Sequence, residues 1–418
     1  MPQLSRRHLL AGGACACMLH RAGSAGARVL PSSMQSLVSM GYRPDATDEK
    51  GMWQSLDRLE EEMASSNLLL QSPAMHEYTV GVITRLLGPQ AKDIRVYLVN
   101  EPTFNASMTP NGMMIVHSGL LARVRNEAQY AAVLGHESGH YLRRHSLAGW
   151  RDRKRKTGIM AFVAVGTNVV SGAAVLAGVG TSTRSWVDLA NSMNGSLAAS
   201  IFSFSREQES EADAYGLRLL EDAGYSPDAA AAVWQQLAEE GRASASAHHK
   251  RFHDNSRSVT STHPPTELRM LDLATSAREI VAAPASNGRA YRDGRDEWRR
   301  AIAPLRSALL DEQIKQNDPG ASLYLVNALA ADGWDGTLHY YAGEAYRLRD
   351  ETGDAAAAAG AYATAVGFTD APPEAWRAHG YALLKSGQSG AGRSALGRYL
   401  EARPDAHDAA MVRFSLNQ

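Results

Sequence analysis

Apolar and charged positions alternate at helical period from Met52 to Leu70. The pattern returns from Pro73 to Leu87, with Tyr78, Val82, Ile83 and Leu86 on one face. The period then shortens to two. Ile94, Val96 and Leu98 share one side of a predicted strand from Asp93 to Asn100. Pro110-Asn111-Gly112 is a turn signal, and Met113 to Val116 a second predicted strand. Gly119-Leu120-Leu121 leads into a long helix-type stretch that runs through His140. Ser200 to Ala223 predicts another helix, closed at Gly224; Tyr225-Ser226-Pro227-Asp228 then caps one from Ala229 to Glu240. Gly241 to Thr262 is polar and predicts a loop, after which Pro264-Pro265-Thr266-Glu267 opens a further helix.

The last hundred residues change character. Trp376-x3-Gly380-x2-Leu383, followed by Leu396, Tyr399 and Pro404, is in register with a tetratricopeptide repeat. His339, Gly343 and Tyr346 form an earlier copy, each 37 residues before Trp376, Gly380 and Leu383. The usual spacing is about 34; the loop around Asp370-Ala371-Pro372-Pro373 accommodates the excess. Gln313 to Ala331 is a candidate partial repeat. The plainer alternative is an Ala-rich helical tail.

The 418 residues suffice for two or three domains. Lys plus Arg number 43 against 44 Asp plus Glu, a balance in which nothing points to nucleic acid. The N-terminus predicts export. Ser5-Arg6-Arg7-His8-Leu9-Leu10 is a twin-arginine pattern, a short apolar stretch follows to Leu19, and Ala25-Gly26-Ala27 offers a cleavage site. Both cysteines, Cys15 and Cys17, lie inside this segment. Cleavage would leave a mature chain without thiols, and lipidation of either cysteine would anchor it instead. Gly158 to Gly180 is apolar and nearly long enough to span a bilayer, and it follows the basic run Arg151 to Lys156. Export would put that run outside the cytoplasm, against the positive-inside tendency. A buried or membrane-touching helical hairpin is therefore expected rather than a span.

Candidate chemistry sits in the helix before that run. His136-Glu137-Ser138-Gly139-His140 is an H-E-x-x-H motif. Helical spacing places both imidazoles on one face, one turn apart, where they can share a zinc ion. Glu137 lies where a general base for an attacking water is needed. A catalytic zinc takes three protein ligands. Downstream, Glu209 and Asp213 are four residues apart on one helix face; Glu209 could complete a His-His-Glu set, and Asp213 could accept an imidazole N–H. A solvated acidic face is the alternative for this pair. His145, five residues after His140, is rotated off the ligand face and is expected to be structural or to support a ligand.

These motifs, with Ser205-Arg206, Asn105-Ala106, Ser118-Gly119-Leu120-Leu121, Arg144-His145, Thr262-His263-Pro264 and then Glu267 and Arg269, resemble the zinc metallopeptidase family of HtpX, the mitochondrial Oma protease and the CAAX prenyl protease. The similarity covers roughly Met52 to Met270, and the architecture is similar to the soluble, repeat-bearing envelope proteases of BepA type. Gly135 departs from the family's usual alanine. The resemblance implies a mainly α (α+β) fold: a gluzincin-like helical domain with a small β-sheet, then tetratricopeptide-like repeats. It implies one zinc ion per chain on His136, His140 and Glu209, with Glu137 catalytic and Asp213 behind the ligands. It puts His263 near the cleft, so that His263 or Arg206 could stabilise the oxyanion, and it casts Met113 to Val116 as the strand that pairs with substrate. The expected division is a signal at 1–27, a peptidase domain at 28–285, a helical linker at 286–320 and repeats at 321–418. The implied activity is a periplasmic endopeptidase cleaving unfolded or misassembled proteins. Its partners would be protein substrates, an envelope assembly factor on the repeats, and the membrane surface through residues 158–180. Two alternatives remain: a chaperone or scaffold with a latent or structural zinc site, and a membrane-embedded protease.

Overall fold

The computed structural model describes residues 35–163, 203–252, 267–283, 286 and 288–416. The signal segment with Cys15 and Cys17, residues 164–180 of the apolar stretch, and His263 lie outside them. In chain order the helices are α1 (Thr47–Ala64), α2 (Pro73–Leu87), α3 (Ser118–Arg123), α4 (Glu127–Leu142), α5 (His145–Val163), α6 (Arg206–Asp222), α7 (Asp228–Ala247) and α8 (Glu267–Ala282). They continue as α9 (Arg295–Ile302), α10 (Arg306–Lys315), α11 (Pro319–Leu329), α12 (Gly336–Arg349), α13 (Asp354–Ala365), α14 (Pro373–Lys385), α15 (Ser389–Ala402) and α16 (Ala409–Leu416). Between α2 and α3 lie β1 (Arg95–Val99), β2 (Ala106–Met108) and β3 (Met113–His117). Among the described residues the fold is mainly helical with one small sheet. No helix among the described residues is long and apolar enough to cross a membrane.

Local chemistry explains the helix starts. Ser72 accepts from Met75 N ahead of Pro73, and Asn126 accepts from Gln129 N at the head of α4. Ser205 and Gln208 close a reciprocal capping box at the head of α6. That cap starts α6 later than the expected Ser200. By contrast α7 runs seven residues past Glu240, through Gly241 to Ala247. Gly241 is no stop signal here: the Phe252 ring fills the space a side chain would need, 2.6 Å from where a Cβ would stand.

The sheet order is β1-β3-β2, with β3 parallel to β1 and antiparallel to β2. Side chains alternate across it. Met114 and Val116 pack with Val96, Leu98 and the main core, while Met113 and Ile115 pack with Met52, Leu56 and Leu59 of α1. This corrects the expectation for Met113–Val116. That strand is the central one, paired on both sides, so its backbone has no edge to offer an added strand. The outer edge nearest α4 belongs to β2, a three-residue strand whose shortness hid it from the sequence.

Helices α9 to α11 pack back onto the first part of the chain. The Trp298 indole donates to Val124 O at 2.9 Å, and Gly320 lies against the Ala243 carbonyl. Two helical hairpins follow, α12 with α13 and α14 with α15. Gly343 lets α12 close on Tyr362, and Gly380 lets α14 close on Leu396.

Candidate metal centre

Helices α4 and α6 bring the expected ligands together. They approach closely because Gly139 and Gly216 carry no side chains where the backbones meet. His136 and His140 are buried on α4, and Glu209 reaches them from the first turn of α6. Their Nε2 atoms lie 3.1 Å apart. Glu209 places Oε2 3.5 Å from His136 Nε2 and Oε1 3.6 Å from His140 Nε2. Glu137 is buried beside them.

The outward nitrogens show what this cluster is built for. His136 Nδ1 meets Asp213 Oδ1 at 2.8 Å. A carboxylate only accepts, so the imidazole proton sits on Nδ1 and, in the neutral ring, the Nε2 lone pair faces inward. Glu209 adds an anionic acceptor. Lone pairs converging from three sides at such distances repel unless a cation stands among them. The edge of a tetrahedral site with zinc–ligand bonds near 2.0–2.1 Å is about 3.3–3.4 Å, which matches this spacing. His136, His140 and Glu209 are also the group of metal-binding side chains found among the described residues. The donor set therefore fits zinc. The same demand is visible in protonation. Burial and Arg269 push His136 down, yet hydrogen bonds and charge from Asp213 and Glu209 outweigh them and hold it up at about 9. The pocket pulls in positive charge.

Arg269 of α8 completes the wall. Its Nε and Nη2 form a fork on Asp213 at 2.6 and 2.7 Å, its Nη1 lies 3.0 Å from Glu209 Oε2, and its guanidinium stacks 4.4 Å over the Trp234 ring. Burial raises Asp213, but Arg269 and His136 hold its carboxyl below the ordinary range. On the other side His140 Nδ1 meets His145 Nδ1 at 2.9 Å, and Phe204 stacks on the His140 ring at 3.7 Å.

The expected residues fall into three groups. His136, Glu137, His140, Glu209 and Asp213 share one site. Arg206 is exposed on the first turn of α6; Arg269 is the arginine in the wall. His263 lies outside the described residues. His117 is buried, bonded to Thr103 Oγ1 at 2.9 Å, and pushed down to about 4 by burial. Reading the residues alone missed Arg269, Glu211, Arg143 and Trp234 as parts of the site. Only the family resemblance drew attention to Arg269.

Residues 70–277 match Peptidase family M48. Among curated relatives, Beta-barrel assembly-enhancing protease of Escherichia coli (strain K12) is 25% identical over 301 residues, 68% of this chain and 57% of that protein. Metalloprotease LoiP of the same strain is 35% identical over 185 residues, covering 41% and 65%. Mitochondrial metalloendopeptidase OMA1 of Arabidopsis thaliana is 36% identical over 146 residues, covering 35% and 26%. The chain thus spans little more than half the length of the first of these.

Proposed function

From the premise that this chain belongs to peptidase family M48 through residues 70–277, we propose that it is a zinc-dependent endopeptidase of the cell envelope that cleaves unfolded or misassembled proteins. The observation that carries this reading is the convergence of His136, His140 and Glu209 with Glu137 buried beside them. The names of the relatives, two of them proteases of a bacterium and one of them described by barrel assembly, support the envelope and the protein-quality role. The twin-arginine pattern at Arg6-Arg7 supports export to the periplasm. The division into a peptidase domain at 28–285, a linker at 286–320 and tetratricopeptide-like repeats at 321–418 belongs to the same proposal. So does recruitment of substrate or an assembly partner by the repeats.

His136, His140 and Glu209 would hold the zinc ion, which would supply Lewis-acid chemistry, acidifying the attacking water toward a pKa of about 7 and polarising the substrate carbonyl. The chain's own residues do the rest. Glu137 takes the proton from the attacking water and returns it to the leaving amine. Asp213 keeps the His136 proton on Nδ1. Arg269 supports Asp213 and Glu209 at once, holding both carboxylates on the ligand side of α6. The side of β2 turned away from β3, rather than β3 itself, is the edge on which an extended substrate would pair.

Replacing Glu137 with Gln tests this directly. Zinc content should stay at one ion per chain, and cleavage of a generic unfolded protein should fall by about 10²–10⁴-fold. Undiminished turnover in Glu137→Gln, or a wild-type chain that binds no zinc, would sink the proposal.

A further inference from the structure

We propose that His145 is a positioning residue of the metal centre: backed by Glu211 and Arg143, it sets the tautomer and ring orientation of His140. The inference rests on His140 being a metal ligand, as proposed above.

The two imidazoles of the H-E-x-x-H motif are held differently. His136 has a carboxylate of its own, Asp213 at 2.8 Å. His140 faces another imidazole, with Nδ1 to Nδ1 at 2.9 Å. Two ring nitrogens in hydrogen-bond contact share one proton, and the far end of the chain decides which ring supplies it. Arg143 Nε donates to Glu211 Oε1 at 2.5 Å, since a guanidinium has no acceptor. Glu211 Oε2 lies 3.1 Å from His145 Nε2, and a carboxylate accepts, so His145 carries its proton on Nε2. Its Nδ1 is then a lone pair, and His140 Nδ1–H donates to it. That turns the lone pair of His140 Nε2 toward His136 and Glu209. The direction of every bond from Glu211 to the ligand follows from the carboxylate, which only accepts.

The backbone is bent to make this contact. Continuing α4 without a break would put His145 about 140° around the helix from His140, out of reach. Instead α4 ends at Leu142, and Arg144 takes a left-handed φ of 58°, unusual for a residue with a side chain. Arg144 is held there by Glu49 at 2.5 Å and by the Tyr42 hydroxyl and ring. The turn starts α5 at His145 and folds its ring back over His140. Strained backbone that the surroundings hold in place is a feature of functional sites. His145 is buried, and Gln208 of α6 donates to its carbonyl at 3.2 Å, tying the turn to the helix that carries Glu209.

The test measures metal binding by the full-length protein, apart from turnover. Zinc affinity is read by competition with a chelator, and ligand geometry by the visible absorption of the cobalt-substituted protein. His145→Phe keeps a ring and removes the acceptor; His145→Ala removes it without risk of overpacking; His145→Asn restores an acceptor oxygen near the Nδ1 position. The proposal expects zinc affinity to fall about 10–100-fold in the Phe and Ala variants, with a changed cobalt spectrum. It expects Asn to recover most of both. Wild-type affinity and spectrum in the Phe or Ala variant overturn it. Equal loss in all three, Asn included, also overturns it, because packing alone would then explain the residue. A wild-type chain without zinc removes the metallopeptidase reading itself, an outcome distinct from the other two.

Discussion

Glu101 stands two residues past the end of β1, about 5% exposed, with its charge facing that of Glu312. Burial first, and Glu312 second, raise its carboxyl from 4.5 to about 7. The unfolded chain loses this proton near 4.5, while the fold keeps it to about 7. Stability from this group is therefore complete below 4.5 and falls as pH rises through 7. Glu101→Gln should gain about 1–3 kcal/mol over wild type at pH 8 and little at pH 4.5. Urea denaturation of both proteins at the two pH values measures the difference. A constant difference across pH would show that Glu101 is ionised in the fold. His117 acts in the opposite sense. Its depressed value near 4 makes the fold lose stability as pH falls from about 6.5, so the comparison with Glu101→Gln is needed to separate the two.

At the scale of elements, the approach of α4 to α6 sets the ligand geometry, and two glycines set the approach. A Cβ on Gly139 would lie 2.9 Å from Ala212 O and 3.1 Å from Ala212 Cα; one on Gly216 would lie 3.0 Å from His136 N. Backbone atoms cannot step aside, so either alanine forces the helices apart. Gly135 differs, because its nearest neighbour would be at 3.5 Å, an ordinary contact. Gly139→Ala and Gly216→Ala should each cost about 1–3 kcal/mol and weaken zinc binding. Gly135→Ala should be neutral or gain up to about 1 kcal/mol from helix propensity. Thermal unfolding and zinc titration of the three variants check this ranking, and equal behaviour would refute it. The same pair of helices shows what the sequence could disclose. His136 with His140, and Glu209 with Asp213, are each four residues apart, so helical period alone put each pair on one face. Glu211 is two residues from Glu209 and turns to another side; only the break at Arg144 brings His145 round to meet it. Arg269 is a single arginine on a helix some sixty residues further on, and no local period marks it. The order β1-β3-β2 is likewise invisible to alternation, which records faces of a strand and not its neighbours.

At the scale of the whole molecule, one hydrophobic core runs from Val82 and Leu134 in the peptidase region through Leu310 and Val326 to Tyr341 and Tyr362 in the helical tail. Arg123 at the end of α3 is the polar joint of this assembly. It forks onto Glu240 of α7 at 2.7–3.0 Å, donates to Gln313 of α10 at 2.7 Å, and caps the carbonyls of Pro102 and Gly119. Gln313 in turn donates to Ser322 of α11 at 3.3 Å. Both members of the ion pair are less than a tenth exposed. Such a pair adds little compared with a well-packed apolar replacement, but breaking it strands a buried charge. Arg123→Ala should therefore cost about 3–5 kcal/mol, and Arg123→Met combined with Glu240→Met should recover most of that loss. The shared core also predicts how the wild type unfolds. Tryptophans in the body, Trp234 and Trp298, and in the tail Trp334, stacked on His339 of α12, should report one urea transition that coincides with the loss of helical circular dichroism. Single-tryptophan versions would separate the two groups. If Trp334 reports melting well before the tryptophans of the body, the joint at Arg123 does not couple the two, and Arg123→Ala should then leave the tail transition unmoved.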